Sequence, residues 1–339
     1  MVPPPVGKPE AGPSGAGIAA GNPPPSGGIE IQFDPAWVEE AVFLELKRRR
    51  ACGDRHMAAV FHAQRSSLYG ASGAADERDA RFQQLAERYF HELGLAELVT
   101  KRFEECPLVA ALVQTARVQR VWSRKEERVE LYVRPAPPGR ASIEASTTLL
   151  LGLQAARCLN RDELVAFLRH ELMHICDMLD PAFAYEPHPE FGGECDTEND
   201  LIRERFRLLW NLFVGGRMRR RGWPLPGAER SRRGLDQAFA SWEPKRYEAV
   251  LQDLGSRDRC TQRELLELAK DERLTRMIGA GGVRCPLCHF PTRDGVRAWD
   301  GEWAPIAQAI HADYPDWTSA QGACVQCADL YRARVCAVR

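Results

Sequence analysis

Residues 160–179 read NRDELVAFLRHELMHICDML, and the fold is read outward from this stretch. Asn160 suits a helix N-cap, and Glu163 stands three residues on, in capping-box position. Leu164, Val165, Phe167, Leu168, Leu172 and Ile175 then recur at helical spacing, which predicts a largely buried helix to about Leu179, before Pro181. His170 and His174 are four apart and so share one face, one turn above the other. Two neutral imidazoles so placed can hold one Zn²⁺ at about 2.0–2.1 Å. Glu171 follows the first of them, beside the metal rather than on it. There a carboxylate can take a proton from a water whose pKa zinc brings down to ~7. The plain alternative is a surface helix with two solvated histidines, and the many apolar positions around the pair argue against it.

Upstream, Val118, Val121, Val129, Leu131 and Val133 lie in a region of alternating polar and apolar residues, which predicts strands. Pro135, Pro137, Pro138 and Gly139 read as a turn, and 141–152 as a further strand, continuously apolar at Leu149–Leu151. Residues 29–114 read as helical, opening at Asp34-Pro35, an N-cap with proline at the first helical position. Breaks are expected at Gly70–Ala75, then helices over Glu77–Leu93 and Ala96–Ala111. Residues 1–28, rich in Pro, Gly, Ala and Ser, read as a disordered tail. Downstream, a loop with Pro181, Pro187, Pro189, Gly192 and Gly193 leads to a helix over Asp196–Val214, ended by Gly215 and Gly216. Arg217–Gly234 reads as a basic connector, followed by helices over Leu235–Asp253 and Thr261–Met277, the latter with a Thr261/Glu264 capping box.

The last stretch carries Cys285-Pro-Leu-Cys288 and Cys324-Val-Gln-Cys327, two Cys-x-x-Cys knuckles. Four thiolates at this spacing suit a closed, structural Zn²⁺ site, with a redox pair or a His289 ligand as the alternatives. The long insert between the knuckles holds Trp299, Trp303, Tyr314, Trp317, Ile306 and Ile310, enough for a small core. The other seven of the eleven cysteines are scattered singly and read as small reduced hydrophobes.

His170-Glu171-x-x-His174 resembles the active-site helix of the zincin metallopeptidases. The resemblance spans roughly residues 129–214 and implies a third zinc ligand. In gluzincin-like members a Glu follows the second His after nineteen residues, which is Glu194 here, and an acid four residues later, here Glu198, orients a ligand. In SprT-like members a His within His-Gly-Pro-Glu-Phe serves instead; His188-Pro189-Glu190-Phe191 is similar but lacks the Gly. A metzincin-like spacing reaches Asp180, with Asp177 where a Gly is expected. Glu194 is preferred, and His188, Asp177 and Asp180 stay open. Glu198, Asp177 and Asp180 are candidates to orient the histidines, and Tyr185 to donate to an oxyanion.

Taken together, the sequence predicts an α+β protein: mostly helical, with a small sheet next to the His-Glu-x-x-His helix and a small zinc-ribbon-like C-terminal domain. The expected domains are the tail (1–28), a helical region (29–114), a zincin-like core (115–278) and the four-cysteine module (283–339). The expected activity is zinc-dependent peptide-bond hydrolysis, with one catalytic and one structural Zn²⁺ and a peptide or protein substrate. The alternative is a non-proteolytic zincin-like binding or regulatory protein, docking through its zinc module and Arg-rich connector. With 46 Lys+Arg against 47 Asp+Glu, the net charge of −1 excludes a wholesale basic coat for nucleic acid. The Arg run at 217–233 leaves a local nucleic-acid contact open, against the simpler reading of a solvated helix end. No membrane partner is expected, because no apolar run approaches ~18 residues. Without a secretion signal, the expected location is cytoplasmic.

Overall fold

The computed structural model describes residues 28–70, 74–134, 146–193, 196–240, 242–270, 283–292 and 295–337. The stretch read as a tail lies, but for Gly28, outside them. The chain divides into two compact units. One comprises the chain to Tyr185 with Val214–Ala228 and Gly255–Arg259; the other comprises Glu186–Phe213, Glu229–Leu254 and the residues from Cys260 on. As expected, the fold is α+β and mostly helical, with a small mixed sheet.

The first unit is built on a four-stranded sheet of β1 (Glu30–Phe33), β2 (Thr115–Arg120), β3 (Arg128–Arg134) and β4 (Ser146–Leu153). The order is β1-β2-β4-β3; β1, β2 and β4 are parallel, and β3 runs antiparallel at the edge. Ala116, Val118, Leu149, Leu151 and Leu153 point into the core from alternate positions. The region 29–114, read as helical from Asp34 on, thus opens with a strand ahead of that cap. Its four residues, Glu-Ile-Gln-Phe, are too short for their alternation to register, and pairing with β2 supplies what propensity does not.

Between β1 and β2 run α1 (Pro35–Ala51), α2 (His56–Tyr69), α3 (Ala75–Glu92), α4 (Leu95–Glu104) and α5 (Pro107–Leu112). The Asp34 side chain accepts the Ala36 N–H at 2.8 Å, as the cap reading requires, and also the Arg120 N–H at 3.3 Å, fastening α1 to the end of β2. The helix expected over Ala96–Ala111 is two, because Pro107 cannot continue α4 and opens α5. Glu45 of α1 is fully buried, and Arg48, Arg49 and Arg161 surround it. Desolvation works to raise its pKa, but the arginine hydrogen bonds together outweigh it and the carboxyl ends below its ordinary value.

Helix α6 spans Arg161–Leu179; Asn160 caps it, its side-chain oxygen accepting the Glu163 N–H at 3.2 Å. Leu164, Leu168, Leu172 and Ile175 are all within 1% of complete burial, and α6 packs on α4 and α5 and meets β3. This is the face that anchors the helix; His170, Glu171 and His174 lie off it and stay partly exposed.

Helix α7 spans Asp196–Arg220 and passes through Gly215 and Gly216, where an end was expected. The reason is tertiary: Gly216 abuts the backbone of Gly255 so closely that no Cβ fits between them. Here glycine permits contact between two backbones instead of ending a helix. The helix expected over Leu235–Asp253 is α8 (Ala228–Ala238) and α9 (Pro244–Ser256), because Pro244 lacks the N–H an interior position needs and opens a new helix. α10 (Gln262–Ala269) shows both bonds of the Thr261/Glu264 capping box; the continuation expected to Met277 falls mostly outside the described residues.

The C-terminal module holds two two-stranded pairs, β5 (Val283–Arg284) with β6 (Pro291–Thr292) and β7 (Gly295–Val296) with β8 (Ala323–Cys324). It also has α11 (Ala304–Asp313) and α12 (Val325–Ala337). Trp299, Ile306, Ile310, Trp317 and Tyr331 form its core, so the insert packs as the aromatic count implied; Tyr314 is the exception, 41% exposed. Among the described residues, no helix is long and apolar enough to cross a membrane.

Candidate metal centres

The cysteine centre is assembled from three elements. Cys285 and Cys288 sit on the turn after β5, Cys324 ends β8 and Cys327 lies in the first turn of α12. The β7–β8 pairing carries the second knuckle back beside the first, and the four Sγ atoms all lie within 4.8 Å of one another. A tetrahedral ion with Zn–S bonds of ~2.3 Å needs S···S edges of about 3.8 Å; Cys288 and Cys324 are 3.9 Å apart. The four donors therefore fit a single tetrahedral zinc.

Backbone amides prepare the thiols for this. The Cys324 N–H points at Cys285 Sγ at 3.3 Å, and the Cys327 N–H at Cys324 Sγ at 3.4 Å. The Cys285 thiol is pushed down to about 4, first by a hydrogen bond from Cys327 and further by N–H groups of Cys324, Cys288 and Leu287. Burial pushes Cys288 up to about 11, and the bond to Cys285 pushes Cys327 up strongly. The cluster thus starts from one thiolate and at least two protonated thiols. His289, the alternative ligand, is exposed, with its backbone at φ 57°, and is not part of the cluster.

The second candidate centre lies on α6. The rings of His170 and His174 have centroids 4.8 Å apart at an interplanar angle of 73°. His170 Nδ1 and Glu171 Oε1 are 3.1 Å apart, with 17% and 16% of the side chains exposed. With Nδ1 donating across this contact, Nε2 keeps the lone pair a metal would use. Among the described residues, no third His, Cys, Asp or Glu donor joins this pair in a cluster.

The candidates for a third ligand stand in different settings. Glu194 lies outside the described residues. His188 is an exposed loop residue of the second unit. Asp180 closes α6, its carboxylate accepting the Ala182 N–H at 2.8 Å. Asp177 is buried, and its carboxylate receives Arg217 Nη2 at 2.6 Å. Glu198, also buried, lies 3.7 Å from the Arg284 guanidinium within the second unit. Tyr185 is half-buried, and burial raises its phenol, so it stays a hydroxyl donor at neutral pH.

Arg217 is the residue the sequence reading misplaced, as one of an exposed run. Forty positions separate it from Asp177, and no local pattern announces the pair. Its neighbours are engaged too. Arg220 donates to the carbonyls of Gly255 and Arg257 and meets Asp258 at 2.9 Å. Arg221 lies over the Trp223 ring, as does Arg169, which also grips Glu105 at 2.7 Å. Arg232 meets Asp236 and Glu248, and Arg233 meets Glu229. Much of the basic run thus has partners within the protein.

Compared with known protein families, curated proteins and solved structures, the chain matches none.

Proposed function

We propose that this protein is a zinc-dependent peptidase in which His170 and His174 hold the metal and Glu171 is the general base. One observation carries the proposal. Two imidazoles stand on the partly exposed side of a helix whose other side is fully buried, with a carboxylate 3.1 Å from the first. Helix burial alone has no use for that combination. Zinc bound there would act as a Lewis acid and lower the pKa of a water to ~7.

The chain's own groups do the rest. Glu171 takes the water's proton as the water attacks a peptide carbonyl and later delivers it to the leaving amine. Its contact with Nδ1–H holds the His170 ring in the tautomer that leaves Nε2 available. The edge strand β3 meets α6 and has no strand partner on its outer side among the described residues, so its free N–H and C=O groups suit an extended peptide. This favours a peptide or unfolded protein segment as substrate.

The alternative is a non-proteolytic zincin-like protein that binds partners through its zinc module. In its favour, the cysteine cluster is the only complete donor set among the described residues. Elemental analysis of wild type and His170→Ala/His174→Ala separates the two. The peptidase reading expects two zinc per chain, falling to one in the double variant. One zinc that survives the double substitution would leave only the cysteine module and remove the peptidase reading.

A further inference from the structure

Away from both metal centres, the first unit contains a groove of about 810 Å³ between α1, α2 and α3. Four aromatic rings line it: Phe43, Phe61, Tyr69 and Phe82. Phe61 is buried against Tyr89 and forms the floor. Phe43 is 48% and Tyr69 64% exposed, and Tyr69 packs on Phe82 with ring centroids 4.9 Å apart. Rings this open, side by side in one groove, leave apolar surface in water at a cost of roughly 25 cal/mol per Å².

The groove is also charged in a definite pattern. Glu39 and Glu40 stand on the α1 wall, Arg65 on α2, and Arg78 beside Asp79 on α3. Glu40 meets Arg120 at 3.6 Å. Glu39, Arg65 and Arg78 have no ion-pair partner among the described residues.

Aromatic-lined grooves suit proline-rich segments. Proline rings lie flat on aromatic faces, and a fixed φ means that little conformational entropy is lost on docking. This chain has such a sequence directly ahead of β1, with Pro3-Pro4-Pro5 and Pro23-Pro24-Pro25. Lys8 and Glu10 are the only charged side chains before Glu30, one cation and one anion to set against the groove's glutamates and arginines. The described residues begin at Gly28, and β1 passes through Asp34 into α1, itself a wall of the groove. At ~3.1 Å per residue, a proline-rich segment of this length can reach about 80 Å. Attachment to the same chain gives an effective concentration in the mM range, so even a weak contact fills the groove.

We propose that the groove between α1, α2 and α3 is the docking site for the proline-rich segment 1–27 of the same chain, its prolines on the four rings and Lys8 and Glu10 against the Glu39/Glu40 and Arg65/Arg78 walls.

The test uses a fluorescent peptide with the sequence of residues 1–27 and two full-length chains, one native and one with Pro3, Pro4, Pro5, Pro23, Pro24 and Pro25 each changed to Ser. Anisotropy should show the peptide binding the substituted chain at least tenfold more tightly, because its own segment no longer competes. Adding Phe43→Ser and Tyr69→Ser should weaken that binding at least tenfold; both side chains are exposed, and an unchanged circular dichroism spectrum checks the fold. Equal affinity for the two chains overturns the proposal, even if the groove accepts proline-rich peptides from elsewhere. Absence of binding to the substituted chain overturns it as well. So does a native chain that dimerises with rising concentration through this groove, which would make a second copy the occupant.

Discussion

The two candidate centres differ in how far apart their donors lie along the chain. In the C-terminal module each Cys-x-x-Cys turn presents two thiols, and one short strand pairing, β7 with β8, brings the turns together. All four donors belong to one small element set and close on themselves. On α6, the helix presents two imidazoles by its own periodicity, but anything further has to arrive from another part of the chain. A closed site can be read from local spacing, whereas an open site is only half-written there. The open arrangement is also the one that leaves room for a substrate.

The strongest test of the closed site is to remove it. Cys285→Ser/Cys288→Ser should abolish zinc binding in the module, a term on the order of 10 kcal/mol in small structural zinc domains. The near-UV dichroism of Trp299 and Trp317 should collapse, while the first unit unfolds at its usual denaturant midpoint. A module that keeps its aromatic signal without metal would show that its tryptophan core stands alone.

Glu171→Gln tests the open site next. Turnover of a peptide substrate should drop ~10²–10⁴-fold, about 3–5 kcal/mol at the transition state, with zinc content unchanged. Loss of zinc along with activity would instead make Glu171 a support for His170.

A third experiment asks what holds α6 in place. Arg217→Met leaves the buried Asp177 carboxylate without its guanidinium. Removing one partner of a buried pair costs ~3–5 kcal/mol, and with Arg217 17% exposed the lower end is expected. Denaturant unfolding measures it, and a change under ~1 kcal/mol would mean that water replaces the arginine.

The pH dependence of zinc affinity follows from the thiols. Cys288, raised to about 11, and Cys327, also raised, are protonated at pH 7, whereas Cys285, lowered to about 4, is not. Zinc has to displace those protons, so affinity should rise with pH, by at least about two decades per unit between pH 6 and 8. Competition against a chelator of known affinity reads the slope, and a flat profile would exclude the cysteines as ligands. The smallest effect belongs to the cap of α6: Asn160→Ala should cost about 1 kcal/mol in the same unfolding assay.

What could be read in advance divides along the same line. Asp34, Asn160 and the Thr261/Glu264 box mark helix starts as the residue types imply, because a cap acts within three residues. β1 escaped, since four residues carry little pattern, and so did the continuation of α7 through Gly215 and Gly216. Glycine signals an end or a close approach equally well, and only the neighbouring Gly255 backbone decides between them. Pro107 and Pro244 each start a helix where one continuous helix was expected, because a residue without an N–H suits the first turn and not the interior.

The sequence by itself determined the helix that pairs His170 with His174, the two cysteine knuckles and the mixed helical and stranded class, because each rests on spacings shorter than two turns of helix or on a four-residue motif. Only the tertiary structure decided that β1 completes the sheet, that Arg217 serves Asp177 instead of solvent, and that the knuckles converge to within 4.8 Å. These depend on residues dozens of positions apart, and contacts at that separation are selected by burial and charge compensation across the whole chain, which no local pattern contains.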